Sequence, residues 1–275
     1  MSGRELRLPA AAANYLCTRY DLQLHPLLRV GWLPVDATEQ DRAEAAELGR
    51  RQLGQQGLLD ADGLHPFVDD AIRLLARPPL AVGLAVNLRD GENFNAVLAE
   101  YGRSTVQAYQ ADGETPDDLR DIVVKRQEFG GPAGNVANLL GKIDAAEGAS
   151  VSVPYDKVKQ IAEWMSRGED KNLSAALGHL GVRGAAARTL TTALTAKRDL
   201  EGLLTVRAFD EKVRRTRSLP FGTQFFNTEA GWFFAQRKPG RDGQEWYILA
   251  PADARKLTGV TSEMIKLLTS PTARI

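Results

Sequence analysis

The sequence holds a single cysteine, Cys17, so no intramolecular disulfide can form and no cysteine cluster can hold a metal. That fits a reducing compartment. An excess of one charge is missing as well. Lys+Arg and Asp+Glu stand at 35 each, and a neutral balance supplies no global field for nucleic acid or anionic lipid. The N-terminus, Met1-Ser2-Gly3-Arg4-Glu5-Leu6-Arg7-Leu8-Pro9, has charges but lacks the run of roughly 7–15 apolar residues that a secretory signal places behind them. The most apolar stretch, Pro79 to Leu88, is far shorter than the roughly 20 residues of a membrane-spanning helix. It reads as a buried strand. A cytoplasmic protein without membrane insertion is expected.

Catalytic and metal motifs are just as scarce. The three histidines, His25, His65 and His179, stand in different segments without H-x-x-x-H or H-E-x-x-H spacing, and a metal site needs several converging ligands. His25-Pro26 and His65-Pro66 read as turn residues. No G-x-S-x-G elbow occurs, which leaves a serine hydrolase without local support. Gly130-Gly131-Pro132-Ala133-Gly134 with Gly141-Lys142 suggests a phosphate loop. However, six residues separate Gly134 from Gly141, and Ile143 stands where magnesium needs a hydroxyl. A glycine-capped strand-to-helix turn is the better reading. Asp60-Ala61-Asp62-Gly63 resembles half of a calcium loop, but that alignment puts Leu58 in the first ligand position and the short Asp69 in the last. Asn172-Leu173-Ser174 is a glycosylation triplet, irrelevant inside a cell. The carboxylate pairs Asp69-Asp70 and Asp117-Asp118 fall at helix or turn starts, where they offset the positive end of a helix dipole. No cofactor or metal is called for.

What is present is ordinary globular material: 275 residues, 43% apolar and 25% charged, enough for an ample core. Leu6-Arg7-Leu8-Pro9 starts extended and leads into a helix over Ala10–Tyr20, with Ala12, Leu16 and Tyr20 on one stripe. His25-Pro26 to Leu33-Pro34 is extended around its prolines. Helices are predicted over 36–55, where Thr38 and Asp41 resemble a cap, and over 64–76, with Val68, Ile72 and Leu75 on one side. Strands are then predicted over 80–88, 94–101, 105–111 and 122–129, separated by turn signals, and a helix over 134–143.

The second half repeats this order. Ser150-Val151-Ser152-Val153-Pro154 leads into a helix bearing Val158, Ile161 and Met165, followed by helices over 173–180 and 185–197. Strands over 203–209, 213–219, 223–226, 232–236 and 246–249 come next, with a hairpin signal at Asp242-Gly243. A helix over 252–268 closes the chain, with Leu257, Val260, Met264 and Leu267 aligned. The chain reads as two tandem copies of one plan, 1–148 and 149–275, within one globular domain. Each half has an exposed sheet edge, and joining the halves into one sheet would cover it. The expected fold class is α+β, a central antiparallel sheet flanked by two helical bundles with quasi-two-fold symmetry.

The most distinctive segment runs from Phe221 to Asp253. Phe225-Phe226-Asn227-Thr228-Glu229-Ala230-Gly231-Trp232-Phe233-Phe234 sets two aromatic strands about a tight turn. Asp242-Gly243-Gln244-Glu245-Trp246-Tyr247 and Pro251-Ala252-Asp253 follow. In this order it resembles the C-terminal signature of the EspG family of ESX (type VII) secretion-associated proteins. Asn227 stands where the family usually has Asp, and Trp232 where it has Arg, which marks a divergent member. The resemblance implies a non-catalytic chaperone that binds the tip of a PPE protein within a PE–PPE heterodimer, or a related helical-hairpin substrate. Such a chaperone keeps its substrate soluble and directs it to its ESX system.

Burying an exposed apolar tip suits aromatic side chains, which cover large area at small entropic cost. Phe225, Trp232, Phe234 and Trp246 are the candidate partner contacts, the competing reading being that strand aromatics pack beneath helices. Alternation puts Trp232 and Phe234 on one face and Phe233 on the other, and only one of those faces is expected to be core. A small-ligand protein or enzyme with its site between the halves is the alternative, and a deep pocket of convergent polar groups would mark it. A homodimeric adaptor pairing through a sheet edge is the third reading.

Overall fold

The computed structural model describes residues 5–31, 36–115, 118–167, 173–240 and 243–270. Leu33-Pro34, Asp117, Asn172 and Asp242, each part of a segment or motif noted above, lie outside the described residues.

The first half runs β1 (Leu6–Leu8), α1 (Ala10–Tyr20), α2 (Glu39–Gln55), a small hairpin of β2 (Leu59–Asp60) and β3 (Gly63–Leu64), α3 (Pro66–Ala76), β4 (Ala81–Leu88), β5 (Phe94–Tyr101), β6 (Ser104–Ala111), β7 (Ile122–Gln127) and α4 (Gly131–Leu140). The second runs β8 (Val151–Pro154), α5 (Tyr155–Ser166), α6 (Leu173–His179), α7 (Gly184–Thr195), β9 (Arg198–Asp210), β10 (Arg215–Ser218), β11 (Thr223–Thr228), β12 (Gly231–Pro239), β13 (Glu245–Pro251) and α8 (Ala254–Thr269). Proline stands at each helix start that follows a short strand: Pro9 is the N-cap of α1, Pro66 the first residue of α3, and Pro154 the N-cap of α5. The expected cap on α2 is a full capping box, with Asp41 N–H donating to Thr38 Oγ1 at 3.1 Å and Thr38 N–H to Asp41 Oδ2 at 2.8 Å.

Several expected boundaries move. The glycine-rich turn begins its helix at Gly131, because Asn135 Nδ2 donates to the carbonyls of Phe129 (2.9 Å) and Gly131 (2.8 Å) and folds the turn onto the first helical residues. The strand expected over 203–209 is longer, from Arg198 to Asp210. The half calcium loop is instead the β2–β3 turn, where Asp60 Oδ1 accepts from Asp62 N–H (2.9 Å) and Gly63 N–H (3.2 Å). On α8 the buried stripe takes Leu268, and Leu267 faces solvent.

Among the described residues, eleven strands form one sheet in the order β1-β7-β6-β5-β4-β9-β11-β12-β13-β8, with β10 added beside β9. Every pairing between named strands is antiparallel. Read inward from either end, a short strand is followed by four longer ones in reverse chain order, which is the quasi-two-fold expected from sequence. The halves join where β4 pairs with β9, from Ala81↔Arg207 to Leu88↔Leu200.

Helices cover both faces, and alternation sends side chains to each. On one face α4 and α8 lie over Val82, Leu84 and Val86 of β4, Leu204 and Val206 of β9, and Phe225, Trp232 and Phe234. On the other, α1–α3 cover Val97, Ala99, Val106, Ala108, Ile122 and Val124 of the first half, while α5–α7 cover Phe226, Phe233, Ala235 and Leu249 of the second. Trp232, Phe233 and Phe234 are therefore all buried. The expectation that only one of their faces is core is corrected: with helices on both sides, both faces of β12 are core.

Loop 21–31 crosses the bundle face beside α3. His25 N–H donates to Leu75 O at 3.0 Å, and the Gln110 side chain holds Arg29 through its N–H (2.7 Å) and carbonyl (2.6 Å). His25 and Leu27 rest on Gly83 of β4, where an added Cβ would stand 2.9 Å from His25 Cε1 and 2.8 Å from Leu27 Cδ1. The position has no room for a side chain. His25 Nδ1 accepts from Leu27 N–H at 3.3 Å, as expected of a turn histidine, and its buried Nε2 has no hydrogen-bond partner among the described residues.

Burial, and secondarily the Arg207 charge, lower the His25 pKa from 6.5 to about 4. The ring is neutral in the fold, whereas the unfolded chain takes up a proton below about pH 6.5, so stability falls as pH drops through that window and levels off near pH 4. Urea titrations should show His25 costing about 2 kcal/mol between pH 6.5 and pH 5, and His25→Asn, which keeps an acceptor for Leu27 N–H, should remove that part of the slope.

Candidate partner-binding surface

The two bundles on one face stand over opposite halves of the sheet, and the strands between them are thinly covered. The register Ala85↔Leu203↔Gln224 across β4, β9 and β11 makes the floor. Along it Ala85 and Thr205 are half-buried, and Asn87, Glu201 and Gln224 are exposed. Leu203 is 42% exposed although it sits mid-strand in a central strand. A contiguous exposed floor with an apolar centre is the informative departure from core packing.

Local sequence explains why the floor stays low. Gly83 accommodates the loop above it and Ala85 has only a methyl, while the neighbouring glycine of β9, Gly202, serves the other face. A Cβ at Gly202 would stand 2.4 Å from Phe225 Cζ and 2.6 Å from Ala85 O. The Phe225 ring lies across β9 there, on the side of α4 and α8.

Toward the second half the floor deepens into a groove of about 470 Å³, whose lining includes Tyr155, Leu203, Phe221, Gln224, Arg237 and Tyr247. The Arg237 guanidinium lies 4.4 Å over the Tyr155 ring and pairs with both oxygens of Glu245, one at 2.8 Å. A cation held by both a ring and a carboxylate has little rotamer freedom left to lose when a partner arrives. Tyr247 has its pKa raised by burial and stays neutral at ordinary pH. The groove offers apolar and aromatic walls, one fixed ion pair and the exposed Gln224 amide, a mixture typical of protein contact surfaces.

The four aromatics expected to contact a partner lie on the opposite face. Phe225, Trp232 and Phe234 are core residues beneath α4 and α8, with the Phe225 and Trp232 rings stacked at 6.5 Å, so the expectation of exposed contacts is corrected for these three. Trp246 stays half-buried, in register with Lys238 and Pro154 near the sheet end. Sequence reasoning missed Leu203. Its signal was weak, because Leu203-Leu204 is apolar on both faces and reads as a fully buried strand.

The sequence matches the EspG family over residues 9–261. Compared with the curated proteins it finds no match. Among solved structures, the Mycobacterium tuberculosis type VII secretion system chaperone EspG5, in complex with a PE25–PPE41 dimer, is similar with a TM-score of 0.71 at 17% identity. The match covers 96% of this chain and 97% of that one. A 12:0-ACP thioesterase from Umbellularia californica reaches a TM-score of only 0.17 at 10% identity, covering 77% of this chain and 88% of that one. HtdX of M. tuberculosis reaches 0.16 at 11%, covering 92% and 99%. Similarity at those two scores carries no argument. The EspG5 likeness shows the fold.

The contrast between floor and core is measurable. Phe233→Ala, at a fully buried ring, should cost about 3–5 kcal/mol in urea unfolding. Leu203→Asp, on the exposed floor, should stay within about 1 kcal/mol of the parent.

Proposed function

Because the chain belongs to the EspG family, we propose that it is a non-catalytic cytoplasmic chaperone that binds type VII (ESX) secretion substrates of the PE–PPE kind. It keeps them soluble and directs them to the secretion system. The family match carries this reading, and the fold shared with a chaperone solved on a PE25–PPE41 dimer supports it.

The physical logic is burial by mass action. A helical substrate with an apolar tip aggregates when the tip is bare, and a folded partner that covers the tip favours the soluble form in proportion to its occupancy. The floor around Leu203, walled by Tyr155, Phe221 and Tyr247, is the surface we assign to that task, with Arg237 and Gln224 fixing orientation at its rim. Residues 1–148 and 149–275 serve as two copies of one unit sharing the sheet, a reading supported by the mirrored strand order. A cytoplasmic location agrees with the described helices, none of which is long and apolar enough to cross a membrane.

Co-expression with a PE–PPE pair encoded beside this chain, followed by purification at high salt, should yield a stoichiometric soluble complex, while the pair alone precipitates. Leu203→Asp should weaken capture about tenfold or more, the loss of one buried leucine at the contact. A chain that neither captures the pair nor rescues its solubility would overturn the reading.

A further inference from the structure

Past the pairing of Arg207 with Ala81, β9 runs beyond the start of β4 and continues with β10 as a two-stranded ribbon, Ser218↔Arg207 to Arg215↔Asp210. Every residue from Glu211 to Ser218 is exposed, so this stretch adds nothing to the core. It is nevertheless firmly built. Phe209 N–H donates to Pro78 O at 2.8 Å, and the Arg77 guanidinium lies 5.8 Å over the Phe209 ring. At the turn, Lys212 N–H donates to Asp210 Oδ1 at 3.0 Å, and Arg214 takes a left-handed φ of 50° that side chains rarely adopt.

Its charge departs from that of the rest of the molecule. Between positions 207 and 218, five cations (Arg207, Lys212, Arg214, Arg215, Arg217) against Asp210 and Glu211 leave a net charge of +3, in a chain that sums to zero. Among the described residues, no ion pair joins any of these five to a carboxylate. The register Arg217↔Ala208 puts Arg215 and Arg217 side by side on one face of the ribbon and Thr216 and Ser218 on the other. Val213, at the turn, is 60% exposed.

We propose that this ribbon is a docking arm for an acidic, extended segment of a protein partner. Alternate residues of a strand repeat at about 6.8 Å, so an extended segment with an acid at every second position sets one carboxylate against Arg215 and the next against Arg217, each in a charge-assisted pair. The exposed Val213 beyond them gives the segment an apolar foothold. Bases would find no ring to stack on among the ribbon residues of that face, Ala208, Asp210, Arg215 and Arg217, so an extended protein segment fits this surface better than a single-stranded nucleic acid. The inference does not rest on the chaperone reading, since the arm lies beyond the Leu203 floor and its test uses no secretion substrate.

Fluorescence anisotropy on the full chain tests it, with a labelled twelve-residue peptide alternating glutamate and threonine as probe and a single-stranded DNA dodecamer beside it. The peptide should bind, release as salt rises, and weaken about tenfold or more when Arg215→Glu and Arg217→Glu are combined. Arg51→Glu with Arg188→Glu, at exposed helix positions elsewhere, should leave its affinity in place. Thermal melting checks that the double variants fold, as expected for exposed side chains. No peptide binding, equal binding by the Arg215→Glu/Arg217→Glu chain, or DNA bound as tightly as the peptide would each overturn the proposal.

Discussion

The pairing of β4 with β9 is the constraint from which the rest of the molecule follows. Eight residue pairs, from Ala81↔Arg207 to Leu88↔Leu200, turn two half-sheets into one, and they satisfy backbone groups that would otherwise form two exposed edges. One face of this seam is packed as tightly as any core, with Val82, Leu84 and Val86 beside Leu204 and Val206 under α4 and α8. The other face must stay shallow. Gly83 admits the loop carrying His25, and Ala85 beside Leu203 has only a methyl. The helical bundles, each tied to the outer strands of its own half, end on either side of the seam. An open floor follows from joining the halves this way.

Helix limits were legible where a local signal and a buried stripe coincided. Pro9 followed by Ala12 and Leu16 gives α1 its full length, and Thr38 with Asp41 starts α2. The mirrored strand order was legible from the repetition of elements. Other features were hidden for physical reasons. Alternation assigns Trp232 and Phe233 to different faces but does not say that helices cover both, so a doubly buried strand resembles one with a free aromatic face. Leu203 carries no mark of exposure, because what exposes it is the gap between α1–α3 and α5–α7, a tertiary property. The two-residue strands β2 and β3 are too short to leave any period in sequence.

The segment that identified the family is informative about the fold and uninformative about the surface. Phe225, Phe226, Trp232, Phe233 and Phe234 are all buried, and their spacing records how β11 and β12 pack between two helical layers. Packing on both sides of the sheet constrains each of these side chains, whereas Leu203, Gln224 and Arg237 are exposed and carry no such constraint. The EspG5 likeness, a TM-score of 0.71 at 17% identity, is accordingly a likeness of fold.

The same difference explains how a quasi-symmetric frame presents a one-sided surface. Strand order repeats across the seam, yet the covering does not: loop 21–31 is pinned by Gln110 onto the β4 side, where it fills the place above Gly83. On the β9 side Leu203 and Gln224 lie open and lead into the groove under Tyr155 and Arg237. Two-fold packing fixes the backbone of both halves, because each strand must satisfy its ladder. It does not fix side chains that no ladder uses. The mirrored halves can therefore differ, one closing its floor with a loop while the other keeps an apolar centre exposed, and the groove is left on the β9 side of the seam.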